Sequence, residues 1–154
     1  MHRLILAHRA PERVAGVFYF ACNMDPGSVK EFSPTPVIER CFARHAKDYA
    51  QLSATPDAFE TFVAAVGLMQ RTQPNFTPRR LAEVRVPVTV VHSEGDEFIK
   101  REHAEYLARS IPGANLVLLP GVTHFAPLQR PELFNVTVLA FLSKTLGPAG
   151  RRLQ

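Results

Sequence analysis

The sequence is poor in cysteine and has no long apolar run. Its 154 residues include two cysteines, Cys22 and Cys41, which are too few for a disulfide framework and are not spaced like zinc ligands. We expect both to be small buried side chains of a protein in the reducing cytoplasm. No run of about 18 apolar residues is present, and the apolar part of the opening MHRLILAHRAPERV is too short for a secretory signal. We therefore predict no membrane segment.

The chain also lacks a concentrated patch of charge. Lys and Arg outnumber Asp and Glu by 18 to 14, but the arginines are scattered through HRAPER, PRR, KRE and GRR. A nucleic-acid-binding surface normally clusters its basic residues, so we predict no nucleic-acid partner. The apolar content of 46% is enough for the core of a single globular unit.

Three short apolar runs indicate strands, namely VAGVFYFAC at 14–22, VPVTVVHSE at 86–94 and ANLVLLPG at 114–121. None alternates strictly, which is typical of strands that are covered on both faces of a parallel sheet. Between the second and third runs, IKREHAEYLARSIPGA places its apolar residues on one helical stripe. A closing helix follows Pro131 and ends near Gly147. We predict an α/β fold in which helices flank a three-stranded parallel sheet.

The middle of the chain has a different character. Residues 26–84 contain no strand-like run, and Thr35-Pro36, Thr55-Pro56 and Thr77-Pro78 each pair a capping hydroxyl with a proline suited to a first helical turn. We predict two substantial helices and a short third one, inserted as a helical cap into a core made of residues 1–25 and 85–154. Eight large side chains of this segment could serve for packing or for a substrate wall, namely Phe32, Phe42, Tyr49, Phe59, Phe62, Leu68, Met69 and Phe76.

Polar residues follow each predicted strand, as Cys22-Asn23-Asp25, Glu94-Asp96-Glu97 and Thr123-His124. The carboxyl ends of parallel strands meet at one edge of a sheet, where ligands bind. Neighbouring strands lie about 4.8 Å apart, so Asp96 and His124 can come within hydrogen-bond reach. A carboxylate that orients an imidazole is the acid and base part of a nucleophilic triad.

Other roles remain open on this pattern. A histidine after a strand is often a structural residue. His92, Asp96 and His124 could ligate a metal, although their spacing matches no ligand motif. Cys22 could be a nucleophile, although a cysteine at the end of a strand lacks the exposed, strained turn that attack needs. The other histidines lie on predicted helices or their ends, and we expect solvent or packing roles for His2, His8, His45 and His103.

Residues 86–142, VPVTVVHSEGDEFIKREHAEYLARSIPGANLVLLPGVTHFAPLQRPELFNVTVLAFL, closely resemble the C-terminal end of the α/β-hydrolase family, and LILAHRAPERVAGVFYF is similar to its sixth strand with the preceding helix. In this family the acid follows the seventh strand and the histidine follows the eighth. The resemblance therefore implies Asp96 as the acid and His124 as the base. Some members place the acid after the sixth strand, where Asp25 stands, and Glu97 is adjacent to Asp96.

The resemblance also implies a substrate pocket under the cap. It assigns substrate-binding roles to Phe125, Phe62, Leu68 and Met69, and a small, partly hydrophobic substrate. It implies neither a cofactor nor a metal.

The chain departs from the family at the nucleophile. No G-x-S-x-G elbow occurs around any of its serines, and the resemblance begins within the helix that follows that elbow. We therefore expect the C-terminal portion of an esterase-like or lactonase-like Ser-Asp-His hydrolase, inactive by itself, with a reading frame that starts further upstream. The first apolar run would leave an open sheet edge, which a missing N-terminal half or another copy would cover. The alternative function is a non-catalytic remnant that associates through this edge.

Overall fold

The computed structural model describes residues 2–31 and 33–147, without the side chains of residues 2 and 3; Phe32 lies outside the described residues. Three strands and seven α-helices occur within these ranges. In chain order they are α1 (His2–Arg9), β1 (Val17–Phe20), α2 (Pro36–Leu52), α3 (Phe59–Thr72), α4 (Pro78–Ala82), β2 (Val88–Ser93), α5 (Arg101–Ser110), β3 (Asn115–Leu119), α6 (Ala126–Gln129) and α7 (Pro131–Leu146).

The strands form one parallel sheet in the order β1-β2-β3, which confirms the predicted architecture. Val17 is in register with Val88, and Thr89 is in register with Asn115. Every residue of the central strand β2 is buried, whereas β1 and β3 are buried only in part. β1 and β3 lie at the edges of this sheet, so their side chains are less deeply buried than those of β2.

Helices cover both faces of the sheet. Alternate residues of β1 point to opposite sides, so Val17 and Tyr19 pack into a cluster with residues of α1, α4 and α5. Phe18 and Phe20 lie on the other face, where Phe18 makes edge-to-face contacts with Phe134 and Phe141 of α7.

Residues 26–84 are mainly helical, and α2 and α3 are the long helices while α4 is the short one. Thr35 Oγ1 accepts the backbone N–H of Ile38, and Thr77 Oγ1 accepts that of Arg80, as N-cap residues do. Thr55 was also expected to cap a helix, but this is wrong. A short 3₁₀ turn precedes α3, and the Thr55 hydroxyl hydrogen-bonds to Tyr49 Oη instead.

The beginning of this helical segment is tied to the loop after β2. Val29 and Ile99 form an isolated antiparallel bridge. The N–H of Lys30 donates to the carbonyl of Phe98, and the N–H of Lys100 donates to that of Ser28. We call this short pairing the 28–30/98–100 ladder. Within the described ranges, no helix is long and apolar enough to cross a bilayer.

Candidate active site

Asp96 lies in the loop that follows β2, with its side chain fully buried. Its Oδ1 accepts the backbone N–H groups of Phe98 and Ile99 at 2.9 and 2.8 Å, so the carboxylate caps the turn in which it stands. Two hydrogen bonds from its own loop thus hold the Asp96 side chain.

The loops after β2 and β3 lie side by side. The N–H of Gly95 donates to the carbonyl of Val122 at 3.0 Å. A Cβ atom at Gly95 would lie 3.0 Å from that carbonyl oxygen, so a glycine is needed for this close approach. The short loop contact brings Asp96 towards His124.

His124 stands against the Asp96 carboxylate. Its Nδ1 is 3.0 Å from Oδ2 and 3.2 Å from Oδ1, and 28% of its side chain is exposed. A carboxylate accepts hydrogen bonds and cannot donate them when ionised, so the proton of the neutral ring belongs on Nδ1. Nε2 is then free of a proton and can act as a general base.

The pKa of Asp96 is lowered by its surroundings. Burial by itself raises the pKa of this carboxyl, but the hydrogen bond and charge of His124 and the N–H groups of Ile99 and Phe98 outweigh it. Asp96 is therefore ionised at neutral pH, as an acid that orients a basic histidine must be.

The two alternative acids have other partners. Glu97 Oε2 accepts the backbone N–H of His124 at 3.0 Å, which holds the loop and not the ring. Asp25 Oδ2 lies 3.4 Å from Nδ1 of His103. Of the three carboxylates considered from the sequence, Asp96 is the one that the structure places against the imidazole of His124.

The remaining histidines differ from one another. His103 is buried, and its Nε2 accepts the N–H of Met24 at 3.0 Å, so it has a specific hydrogen-bonding role that the sequence did not predict. Burial lowers the pKa of His103, and the charge of Asp25 offsets this only in part. His8 hydrogen-bonds to Glu83 at 2.7 Å. The side chain of His2 lies outside the described residues.

Aromatic rings surround His124, and most of them were not predicted as site residues. The ring of Phe98 lies 4.8 Å away in an edge-to-face contact, Phe125 lies at 5.6 Å and Phe20 at 6.5 Å. From α2, Phe42 lies 6.5 Å from Phe98, and His45 lies 6.3 Å from Phe125. The amphipathic pattern of α2 predicts an apolar face but not which residues that face meets.

The predicted substrate-binding residues are spread over two regions. Phe125 is buried beside His124. On α3, Phe62 stacks on Tyr49 at 5.3 Å, Leu68 is exposed and Met69 is half-buried. Their roles remain predictions.

Two alternative chemistries receive no geometric support. Cys22 packs against the cluster on the α1 and α5 face, whereas His124 meets Phe20, which lies on the opposite face. In residues 2–31 and 33–147, no group of three or more His, Cys, Asp or Glu side chains is arranged to hold a metal ion.

Comparisons with known proteins agree with this architecture. A 70-residue stretch is 40% identical to polyketide synthase ThaQ of Burkholderia thailandensis, covering 46% of this chain and 3% of that protein. The fold matches the enol-lactonase of Burkholderia xenovorans LB400 with a TM-score of 0.57 and 16% identity, over 91% of this chain and 60% of that one. It matches carboxylesterase CesB (YbfK) of Bacillus subtilis with a TM-score of 0.57 and 22% identity, over 93% and 56%.

The chain thus spans less than two thirds of the length of these relatives. The sequence profile of the alpha/beta hydrolase family matches residues 3–136, which is most of the chain. This protein belongs to the alpha/beta hydrolase family.

Proposed function

We propose that the chain supplies the acid and the base of a Ser-Asp-His hydrolase that cleaves an ester, a lactone or a similar carbonyl compound. The observation that carries the proposal is the contact of His124 Nδ1 with the buried carboxylate of Asp96. Nε2 of His124 takes the proton of a nucleophilic hydroxyl as that oxygen attacks the carbonyl carbon. Asp96 stabilises the imidazolium, which then returns the proton to the leaving group.

The nucleophile itself comes from outside this chain in our proposal. The sequence contains no G-x-S-x-G elbow, and the solved relatives are longer than the part matched here. We propose that the remainder of the fold is provided by an upstream extension of the reading frame, and that the chain by itself is inactive. Residues 26–84 would then form the cap of the complete enzyme. We also propose that the enzyme is cytoplasmic.

The surroundings of His124 support a small, partly hydrophobic substrate. Phe98 and Phe125 flank the imidazole, and Phe42 of α2 faces Phe98 from the helical segment. Aromatic walls of this kind bind apolar groups and exclude water from the reacting bond. An enol-lactonase and a carboxylesterase among the structural relatives agree with ester or lactone cleavage.

The test is hydrolysis of a short-chain p-nitrophenyl ester by this chain and by a version extended upstream into the genomic reading frame. We expect activity in the extended form, and its loss in His124→Ala. His8→Ala is the matched control, because His8 pairs with Glu83 and not with the Asp96 carboxylate. If the short chain hydrolyses the ester and still does so after His124→Ala, two parts of the proposal are wrong. These are the role of His124 as the base and the origin of the nucleophile outside this chain.

A second candidate function is association without catalysis. Val136 and Leu139 of α7 are 65% and 60% exposed, and among the residues that the structure describes β1 pairs with another strand, β2, along one edge only. An exposed apolar helix face and an open strand edge each favour contact with another polypeptide.

The size of the chain in solution separates the two candidates. If association is its function, ultracentrifugation shows a defined oligomer that Leu139→Lys dissociates, while the extended form hydrolyses no ester. Leu52→Lys is the control, because Leu52 is exposed at the far end of α2. If the chain is a monomer and the extended form hydrolyses the ester, the hydrolase proposal is supported and the non-catalytic function is contradicted.

A further inference from the structure

The ammonium group of Lys30 contacts the residue that bears the candidate catalytic carboxylate. Its Nζ donates a hydrogen bond of 2.6 Å to the backbone carbonyl of Asp96. Lys30 is half-buried, and it stands at the end of the 28–30/98–100 ladder, where its own N–H donates to Phe98. One residue at the beginning of the helical segment therefore holds the loop after β2 at two points.

Both points lie within the turn that Asp96 closes. Oδ1 of Asp96 accepts from the N–H groups of Phe98 and Ile99, so the position of this carboxylate depends on the backbone between residues 96 and 99. Lys30 binds the carbonyl of residue 96 through Nζ and the carbonyl of residue 98 through its own N–H, and both carbonyls lie within that turn. A charged donor gives a stronger hydrogen bond than a neutral one, and a half-buried setting preserves that strength.

We propose that Lys30 is a positioning residue, which couples the placement of the helical segment to the contact between Asp96 and His124. The inference rests on the proposed roles of that pair. The charge of Lys30 also acts, together with those of Asp96 and Arg101, on His92, which is buried in β2.

Lys100 provides a matched control within the same ladder. Its Nζ donates to the backbone carbonyl of Gly27 at 2.8 Å, so it makes the same type of bond across the same two segments. It has no contact with the carbonyl of Asp96. Lys100 is more exposed than Lys30, so the readout must be the geometry of the Asp96 turn and not the size of the stability loss. A positioning role alters that turn in Lys30→Met and leaves it unchanged in Lys100→Met.

The experiment compares Lys30→Met, Lys30→Arg and Lys100→Met in the full chain by NMR. One readout is the strongly deshielded proton that His124 Nδ1 shares with the Asp96 carboxylate. The other is amide hydrogen exchange at Phe98 and Ile99, whose N–H groups bind Oδ1. In Lys30→Met we expect the deshielded signal to broaden or vanish and the two amides to exchange about ten-fold faster or more. Lys30→Arg restores both readouts, and Lys100→Met leaves both unchanged.

Several results would overturn the inference. One is a wild-type signal and wild-type exchange in Lys30→Met, and another is an equal effect of Lys100→Met. Lys30→Gln is the second variant if Lys30→Met does not fold, and failure of both to fold would make Lys30 a general stabilising residue and reject the positioning role. These readouts measure geometry and not turnover. An extended enzyme without activity would therefore reject the proposed hydrolase and leave a Lys30-dependent contact intact.

Discussion

Glu97 binds His124 through the backbone N–H of the histidine, at 3.0 Å from Oε2, and not through the ring. The preceding residue, Asp96, holds the ring through Nδ1. Two adjacent carboxylates thus position one histidine in different ways. Glu97 fixes the loop that carries His124, and Asp96 fixes the orientation and tautomer of its imidazole. Substitution of each carboxylate in turn tests these separate roles.

If the proposed extended form hydrolyses esters, Asp96→Asn is expected to lower its kcat by about a thousand-fold or more. An amide at this position cannot stabilise the imidazolium and can present an N–H to Nδ1, which favours the wrong tautomer. Glu97→Gln keeps an oxygen that can accept the N–H of His124, so its activity should stay within about ten-fold of the wild type. Equal losses in the two variants, measured by steady-state ester hydrolysis, would mean that Asp96 has no special role.

Stability is expected to fall as the pH drops below about 6.5, the ordinary pKa of histidine. Burial lowers the pKa of both His103 and His92 in the folded chain. Below that pH the unfolded chain takes up protons that the folded chain does not bind. The free energy of unfolding therefore decreases by at most about 1.4 kcal/mol per pH unit for each histidine, until the folded pKa is reached.

Urea unfolding at pH 7.5 and pH 5.5 measures this effect. In His103→Gln the loss of stability between the two pH values should be smaller than in the wild type, because one of the two groups is gone. His45→Gln is the control, because His45 is exposed on α2 and should leave the difference unchanged. An unaltered pH dependence in His103→Gln would show that His103 does not resist protonation in the fold.

Gly16→Ala is expected to destabilise the fold by about 1–3 kcal/mol. A Cβ atom at Gly16 would lie 2.7 Å from Cγ2 of Thr145 and 3.1 Å from the carbonyl oxygen of Pro87, so α7 would have to move away from β1. Gly67→Ala on α3 is the matched control. There the nearest atom is the flexible end of Arg71 at 3.3 Å, and the change should stabilise the helix by about 0.5–1 kcal/mol. Thermal or urea unfolding that ranks the two variants in the opposite order would contradict the packing of α7 on β1.

Phe42→Ala is expected to weaken substrate binding without changing the chemical step. Phe42 is partly exposed on α2 and faces Phe98, which lies against His124. Loss of one aromatic wall should raise KM for an aromatic ester about three- to ten-fold, with little change in kcat. Leu52→Ala, at the exposed end of the same helix, should change neither constant. A wild-type KM in Phe42→Ala would remove α2 from the substrate site.

The positions of the strands could be predicted because each is a short apolar run between turn residues. β2 is buried along its whole length, and a strand buried on both faces consists mainly of apolar residues, such as the run VTVV. Such a run can be recognised in the sequence. Asp96 and His124 were among the polar residues that follow a strand, which parallel strands place at one edge, and the resemblance to the family favoured this pair. The capping role of Thr55 was predicted wrongly, since its hydroxyl bonds to Tyr49 and a short 3₁₀ turn precedes α3.

The sequence by itself determined the α/β class and the three parallel strands, which follow from local patterns of apolar and polar residues and from the geometry of a parallel sheet. It also placed His124 and the candidate acids Asp25, Asp96 and Glu97 at one edge of the sheet, and the resemblance to the family favoured Asp96. Only the tertiary structure decided that Glu97 binds backbone, that His103 accepts from Met24 and that Lys30 reaches Asp96 across 66 residues of sequence. The reason is physical, because such hydrogen bonds depend on where distant segments pack, and no periodicity within either segment records that placement.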